Sequence, residues 1–361
     1  MSMGKRSVIP FGPQHPVLPE PIHLDLVIED ERVVEAVPSI GYIHRGLEKL
    51  AETRDYIDYV YVAERVCGIC SFMHGMGYCM AVEDIMKLEL PPRALYLRVV
   101  WAELSRIHSH LLWMGLLADS FGFENLFMQC WRLREKVLDI FEMTTGGRVI
   151  FSVCKIGGVR KDIDTDSQQI ILKTLEEIGR EFKVLETTFL NDKSVLHRLK
   201  GIGVLTADEA LTLGAVGPML RASGVEQDMR KTGYAIYDEL DVGVTTSPDG
   251  DSYARCVVRM GEVHTSIDII RQALGKIPDG EISVKVTGTP NGQGYIRVEQ
   301  PRGEAFYHVR ANGTKFLERF RVRTPTFANL PALLKILEGR SLANVPVLIL
   351  TIDPCISCTE R

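Results

Sequence analysis

No apolar run in this chain is long enough to cross a bilayer, which takes roughly 20 predominantly apolar residues in succession. The longest, Val347-Leu348-Ile349-Leu350 and residues 111–118, are short or read as helical core. An internal repeat, a low-complexity linker and a basic stretch interleaved with aromatics are also missing, and no secretory leader is expected. No nucleic-acid partner is therefore expected, and at a membrane this protein would have to be held by partner subunits. Neither sign of charge dominates: 42 Lys and Arg against 47 Asp and Glu leave a net charge of −5. With 361 residues, 45% of them hydrophobic, the chain reads as one large or two intimate globular domains.

Cysteine is where the sequence is specific. Four of eight cysteines form two CxxC pairs near opposite ends, in Arg65-Val66-Cys67-Gly68-Ile69-Cys70-Ser71-Phe72-Met73-His74 and Asp353-Pro354-Cys355-Ile356-Ser357-Cys358-Thr359-Glu360-Arg361. Each pair points two sulfurs at one place, so together they offer four thiolates to one metal. A pair so close to the end of the chain implies a tail tucked into the core, since free ends are otherwise mobile. A structural zinc site usually gathers its pairs within a few tens of residues, and a chain of this size needs no such staple. Disulfides fit poorly with eight scattered cysteines and no leader, and a redox dithiol needs only one pair. Spacing alone leaves zinc and a redox-active metal both open. Cys79, Cys130, Cys154 and Cys256 lack ligand spacing and read as small core residues.

Residues 22–28 and 32–37 flank Glu29-Asp30-Glu31 and read as a β-hairpin. Helices are expected over 46–64, from Arg93 to about Ala118, over 124–145 with Gly146-Gly147 as a stop, from Asp166 to about Leu190, and from Arg259 to Leu274. Thr206-Ala207-Asp208-Glu209 is a capping box opening a short helix. Strands are expected at 282–287, 294–299 and 305–310, followed by a helix capped by Thr326 that runs to about Glu338. The result is an α+β arrangement, a helical bundle core with a small antiparallel β-sheet region. It reads as one domain over 1–361: a hairpin about 20–38, a helical core about 46–275, a β-meander about 280–312 and a C-terminal helix with metal-binding tail over 326–361. The first CxxC would then lie beyond a helix C-terminus. That end of the dipole does not lower thiol pKa values, so metal would have to hold the sulfurs deprotonated.

The flanks of both pairs resemble the large subunit of nickel–iron hydrogenases. Arg65, Cys67, Gly68, Cys70 and His74 match the family's proximal motif, and Asp353, Pro354, Cys355, Cys358 and Arg361 its distal one. Gly12 to Pro16, Gly41 to Leu50, Gly217 to Gly224 and Arg255 to Met260 are similar to the 49 kDa quinone-site subunit of complex I. The combination points to the energy-converting, membrane-bound (group 4) hydrogenases, of the Ech type or its carbon-monoxide-linked relative. Complex I subunits have lost the four thiols that this chain keeps.

The resemblance implies a nickel–iron centre whose iron carries CO and CN ligands. All four cysteines would bind nickel, with Cys70 and Cys358 also bridging to iron; Cys67 and Cys355 would be terminal, and Cys355 the first proton acceptor. Glu20 would relay the proton, although a carboxylate between two prolines is ordinarily a solvated loop residue. Arg302, in a Pro-Arg-Gly element, would hang over the open coordination position; its plainer reading is a strand-edge arginine paired to a surface carboxylate. Asp353 either fixes that guanidinium or only makes an Asp-Pro turn. His74 would donate to a bridging sulfur, or be a satisfied core histidine. His108 and His110 would line the cavity or pack against helices. Better-known relatives bind magnesium or iron through a glutamate at the place of Glu48 and a C-terminal histidine. The terminal Arg361 has no lone pair to offer, so Glu48 is expected to pair with Arg361 or another base and that metal to be absent or altered. Implied partners are a small subunit with a 4Fe–4S cluster, a ferredoxin-type iron–sulfur subunit with ferredoxin as the ultimate electron partner, and integral membrane subunits that couple the reaction to ion translocation. The chain would sit peripherally on the cytoplasmic side of the membrane.

Overall fold

The computed structural model describes residues 6–361. Strands β1 (Ser7–Phe11), β2 (His23–Glu29) and β3 (Arg32–Ser39) form an antiparallel sheet in that order. The expected hairpin is its β2–β3 half, turning through positive φ at Asp30 and Glu31, as the favoured two-residue hairpin turns require. Strand β1 was not expected: four of its five residues are exposed, so it carries no alternation to read.

The continuous helix expected over 46–64 is two short ones, α1 (Leu47–Leu50) and α2 (Tyr59–Glu64). Between them the Tyr56 amide donates to the Lys315 carbonyl (2.9 Å) and the Asp55 carboxylate accepts from the Ile57 amide (3.0 Å). Tertiary hydrogen bonds there replace helical ones. Next come α3 (Ser71–Met86), α4 (Pro92–Ser120) and α5 (Glu124–Thr145), the last closed by Gly146 at φ 85°. A minimal hairpin, β4 (Cys154–Lys155) and β5 (Gly158–Val159), leads to α6 (Thr165–Asn191). Then follow α7 (Lys193–Leu199), α8 (Ala207–Thr212) on its Thr206/Glu209 capping box, α9 (Pro218–Arg221) and α10 (Ser252–Lys276). Helix α10 starts earlier than expected because Asp251 caps it, accepting from the Ala254 amide at 2.7 Å. Helix α4 is buried on nearly all sides and packs on α5 and α10, which makes it the axis of the bundle.

The meander lies further along the chain than expected. It comprises β6 (Asn291–Gln300), β7 (Gly303–Asn312) and β8 (Leu317–Arg323), antiparallel in that order. Residues 282–287 form no strand; Ser283 only bridges to Gly158. The third strand is 317–323, whose buried Phe320 and Val322 alternate with exposed Arg319 and Arg321. Glycine lets α3 lie against this sheet: a Cβ on Gly77 would sit 2.5 Å from the Tyr307 ring, and one on Gly294 2.5 Å from the Ala81 carbonyl oxygen. The chain closes with α11 (Pro325–Leu337), α12 (Val345–Thr351) and α13 (Ile356–Thr359). Thr324, not Thr326, is the N-cap residue of α11; the Thr326 hydroxyl instead accepts from the Cys355 amide (3.1 Å).

Beneath the sheet–bundle junction, α4, α10 and the 221–230 segment share a buried ion network. Glu103 accepts from Arg106 and Arg230 (3.1 Å each), and Glu262 from Arg221 (2.7 Å) and His110 (2.9 Å). Arg106 also donates to the carbonyls of Glu299 and Gln300, at the end of β6. No helix among the described residues is long and apolar enough to cross a membrane.

Candidate metal centre

The two CxxC pairs meet. Cys67 Sγ lies 3.3 Å from Cys355 Sγ, and Cys70 Sγ 3.5 Å from Cys358 Sγ, across 288 residues of chain in each case. All four are buried. In each pair the first sulfur accepts the amide of the second: Cys70 N to Cys67 Sγ (3.5 Å) and Cys358 N to Cys355 Sγ (3.4 Å). The first pair was expected beyond a helix C-terminus, but it also immediately precedes a helix, with Cys70 as the N-cap residue of α3. Cys355 likewise N-caps α13. The four sulfurs do not share protons equally: hydrogen bonds from the Cys355, Cys358 and Cys67 thiols hold Cys70 well below the ordinary thiol range, whereas burial pushes Cys358 well above it.

Around the sulfurs, Arg302 sits on the β6–β7 turn. Its position depends on backbone contact, since a Cβ on Gly217 would fall 2.1 Å from the Gly303 Cα. The buried guanidinium donates through Nε to the Asp353 carbonyl (2.8 Å) and through Nη2 to Asp353 Oδ1 (2.9 Å). Nη1 is buried without a partner among the described residues. Asp353, at φ 57°, thus both turns the chain and holds Arg302. His74 Nε2 lies 3.4 Å from Cys358 Sγ, and its Nδ1 2.9 Å from the Tyr307 hydroxyl, which accepts from Gln300 Nε2 (2.8 Å). If the Tyr307 hydroxyl donates to Nδ1, Nε2–H is left to donate to sulfur. Glu20 reaches the start of α13, where its Oε2 accepts the amides of Ile356 and Ser357 (3.0 Å for the latter) and its Oε1 the Ser357 hydroxyl (3.3 Å). That hydroxyl lies 3.9 Å from Cys355 Sγ.

Glu48 Oε1 accepts from Arg361 Nε (2.9 Å) and the Val322 amide (2.9 Å), and its Oε2 from Arg321 (3.1 Å). Arg65 is not brought to the sulfurs; exposed, it donates to the Tyr61 carbonyl of α2 (2.8 Å). The clamp that sequence reasoning missed is Arg45. It donates to the carbonyls of Arg65 (3.0 Å), Val66 (3.0 Å) and Ser357 (2.8 Å), tying both CxxC segments together. Its motif, Gly41 to Leu50, was visible; its target was not. A second missed residue is Glu64, buried beside the first pair, where desolvation outweighs the Ser152 hydroxyl bond (2.6 Å) and pushes its pKa up to about 7. His110 belongs to the ion network. His108 takes the Arg134 Nε proton on Nδ1 (3.1 Å), and burial, with Arg134 and Arg302 nearby, keeps it neutral. Cys130 and Cys256 are buried thiols pushed up to about 12 by burial.

This donor set suits a soft metal: four sulfurs, of which three lie within 4.8 Å of one another, with an unpartnered guanidinium nitrogen close by. Residues 120–289 and 282–361 match the respiratory-chain NADH dehydrogenase 49 Kd subunit family, and residues 45–118 the nickel-dependent hydrogenase family. The membrane-bound hydrogenase subunit alpha of Pyrococcus furiosus is 38% identical, over 98% of this chain and 87% of that one. The carbon monoxide-induced hydrogenase of Rhodospirillum rubrum is 38% identical, over 98% and 99%. A chain in the solved membrane-bound sulfane sulfur reductase, an archaeal respiratory membrane complex, superposes with a TM-score of 0.94 at 31% identity, covering 99% of this chain and 98% of its own.

Proposed function

The chain belongs to the family that unites nickel-dependent hydrogenases with the 49 kDa subunit of respiratory-chain NADH dehydrogenase, and on that premise we propose that it is the catalytic subunit of a group 4 energy-converting hydrogenase. The reaction is the reversible one, H2 = 2 H+ + 2 e−. The observation that carries the reading is the meeting of four buried cysteine sulfurs from opposite ends of the chain. Cys67, Cys70, Cys355 and Cys358 would hold nickel, with Cys70 and Cys358 shared with iron. That centre, with CO and CN on the iron, supplies the soft, electron-rich site at which dihydrogen is split or made.

The protein's own groups do the rest. Arg302, fixed by Asp353, keeps a buried N–H without a partner among the described residues, and a fixed donor is worth most where the dielectric is low. The Cys355 sulfur, the Ser357 hydroxyl and the Glu20 carboxylate form a short line for a proton leaving the pocket. His74 orients Cys358. The second metal of better-known relatives does not fit here, because both Glu48 oxygens already face guanidiniums.

Electrons would leave through a small subunit with a 4Fe–4S cluster and a ferredoxin-type iron–sulfur subunit toward ferredoxin. Integral membrane subunits would hold the chain on the cytoplasmic side and couple the reaction to ion translocation. The test is infrared spectroscopy and elemental analysis of the complex from its native host. CO and CN stretching bands with nickel are expected. Their absence, with zinc or no metal, would leave a silent complex I-like or zinc-bearing structural subunit.

A further inference from the structure

We propose that the outer face of the β6–β8 sheet docks an acidic protein partner. The inner face is apolar and lies on α3; the outer face carries Arg297 on β6, Arg310 on β7, and Arg319, Arg321 and Arg323 on β8. Side chains of Arg297, Arg310 and Arg321 are 59%, 57% and 56% exposed. Three carboxylates face these five guanidiniums. Glu318 pairs with Arg310 (2.6 Å), Glu304 with Arg323 and more distantly with Arg297 (4.0 Å), and Glu48 with Arg321 while also serving Arg361. Arg319 has no carboxylate partner among the described residues.

The register sharpens this imbalance. Arg310 stands directly opposite Arg319, and like charges across a strand pair cost stability. A chain of net charge −5 keeps here a local excess of the opposite sign. Such an arrangement is relieved when a partner brings carboxylates.

Aromatic groups lie among the charges. Tyr295, half of it exposed, stacks on His308 with centroids 4.6 Å apart and planes 6° apart, and Arg297 lies over Phe306 at 5.8 Å. Arg, Tyr and Phe are the residues enriched at protein interfaces. The strand cations are all Arg and none Lys. A planar fork that binds carboxylates two-fold is served by Arg alone, whereas attraction to an anionic membrane depends on charge and accepts Lys equally. The face therefore fits an Asp- and Glu-rich protein surface better than a lipid one. This inference does not depend on the metal reading.

The test uses the whole complex in its host, with Tyr295→p-benzoylphenylalanine as a photo-cross-linker and the same residue at exposed Val184 on α6 as control. Adducts should map to a segment of one other protein with an excess of Asp and Glu. Arg310→Glu with Arg319→Glu should cut their yield about tenfold or more, as loss of charge complementarity does, with metal content unchanged. Phenylglyoxal labelling of the unaltered protein, which needs no variant to fold, should find Arg310 and Arg319 shielded in the complex and reactive once high salt releases the chain. Adducts with phospholipid, adducts indifferent to charge reversal, yields no higher than at Val184, or equal labelling in both states would each overturn the proposal.

Discussion

Arg302 shows how one residue can combine a structural and a chemical task. Two of its three nitrogens are spent on Asp353, and the third is buried without a partner among the described residues. Arg302→Lys cannot do both, since a point charge replaces a fork. Hydrogen turnover should fall about 100-fold or more while nickel content stays unchanged, which activity and elemental assays on the same preparation would check. Glu64 carries a pH prediction. Burial lifts its pKa from the ordinary 4.5 to about 7, so the folded chain binds that proton more tightly than the unfolded one. Its contribution to stability is fully present below about pH 4.5 and is lost as pH rises through 7, a change of about 3 kcal/mol. Glu64→Gln should flatten the pH dependence of urea unfolding across that window; an unchanged slope would assign it to another group, such as Glu299, also pushed up to about 7 by burial. The cysteines and Arg302 could be read from motifs because their types and spacing are chemically unusual. Arg45 and Glu64 could not, because what each one faces is settled by chain far away in sequence.

At the scale of elements, the long helices were the easiest to foresee. Helix α5 matches its expected span, and α4 and α6 nearly so, because periodic apolar faces and clear stops act locally. The misplaced meander and the split helix share a physical cause. Short segments have little intrinsic preference, so their state follows the backbone partners that tertiary structure provides. The contact between α3 and the sheet makes a direct prediction. Gly77→Ala would push a methyl into the Tyr307 ring, 2.5 Å away, and overpacking of this kind costs about 1–3 kcal/mol. Because Tyr307 contacts His74, the same substitution should, on the proposed function, also shift the CN and CO bands that such a centre would show. Denaturant unfolding and infrared spectra would test the two effects separately.

At the scale of the whole molecule, two long-range devices join distant parts of the chain besides the apolar core: the sulfur cluster and the buried ion network. Removing one member of a buried network leaves its partners charged and short of a counter-charge. Arg230 serves both Glu103 and Asp228, so Arg230→Met should destabilise the chain by about 3–5 kcal/mol, measured by thermal or urea unfolding. The sulfur cluster joins residues 288 apart, closing a very long loop. A metal bound there, as proposed, would stabilise the folded state by linkage. Stripping the metal should therefore lower the melting temperature and speed amide exchange over 345–361 more than in α4; uniform exchange would show that Arg45 and Glu20 hold the tail unaided.

The sequence by itself determined the family, because that rests on short motifs whose residue types and spacing are unusual. It also determined the bundle's main helices, which follow from local periodicity and stops. The meeting of the two cysteine pairs and the Glu48–Arg361 pair were expected from the sequence; only the tertiary structure decided that Arg321 joins Arg361 on Glu48 and that Arg45 joins the two ends of the chain. It also decided that one strand sets its arginines on an open face. These are contacts between segments far apart in the chain, and the apolar burial that drives such segments together is non-directional; which polar groups then meet is decided by how helices and sheet pack, not by the residues flanking each one.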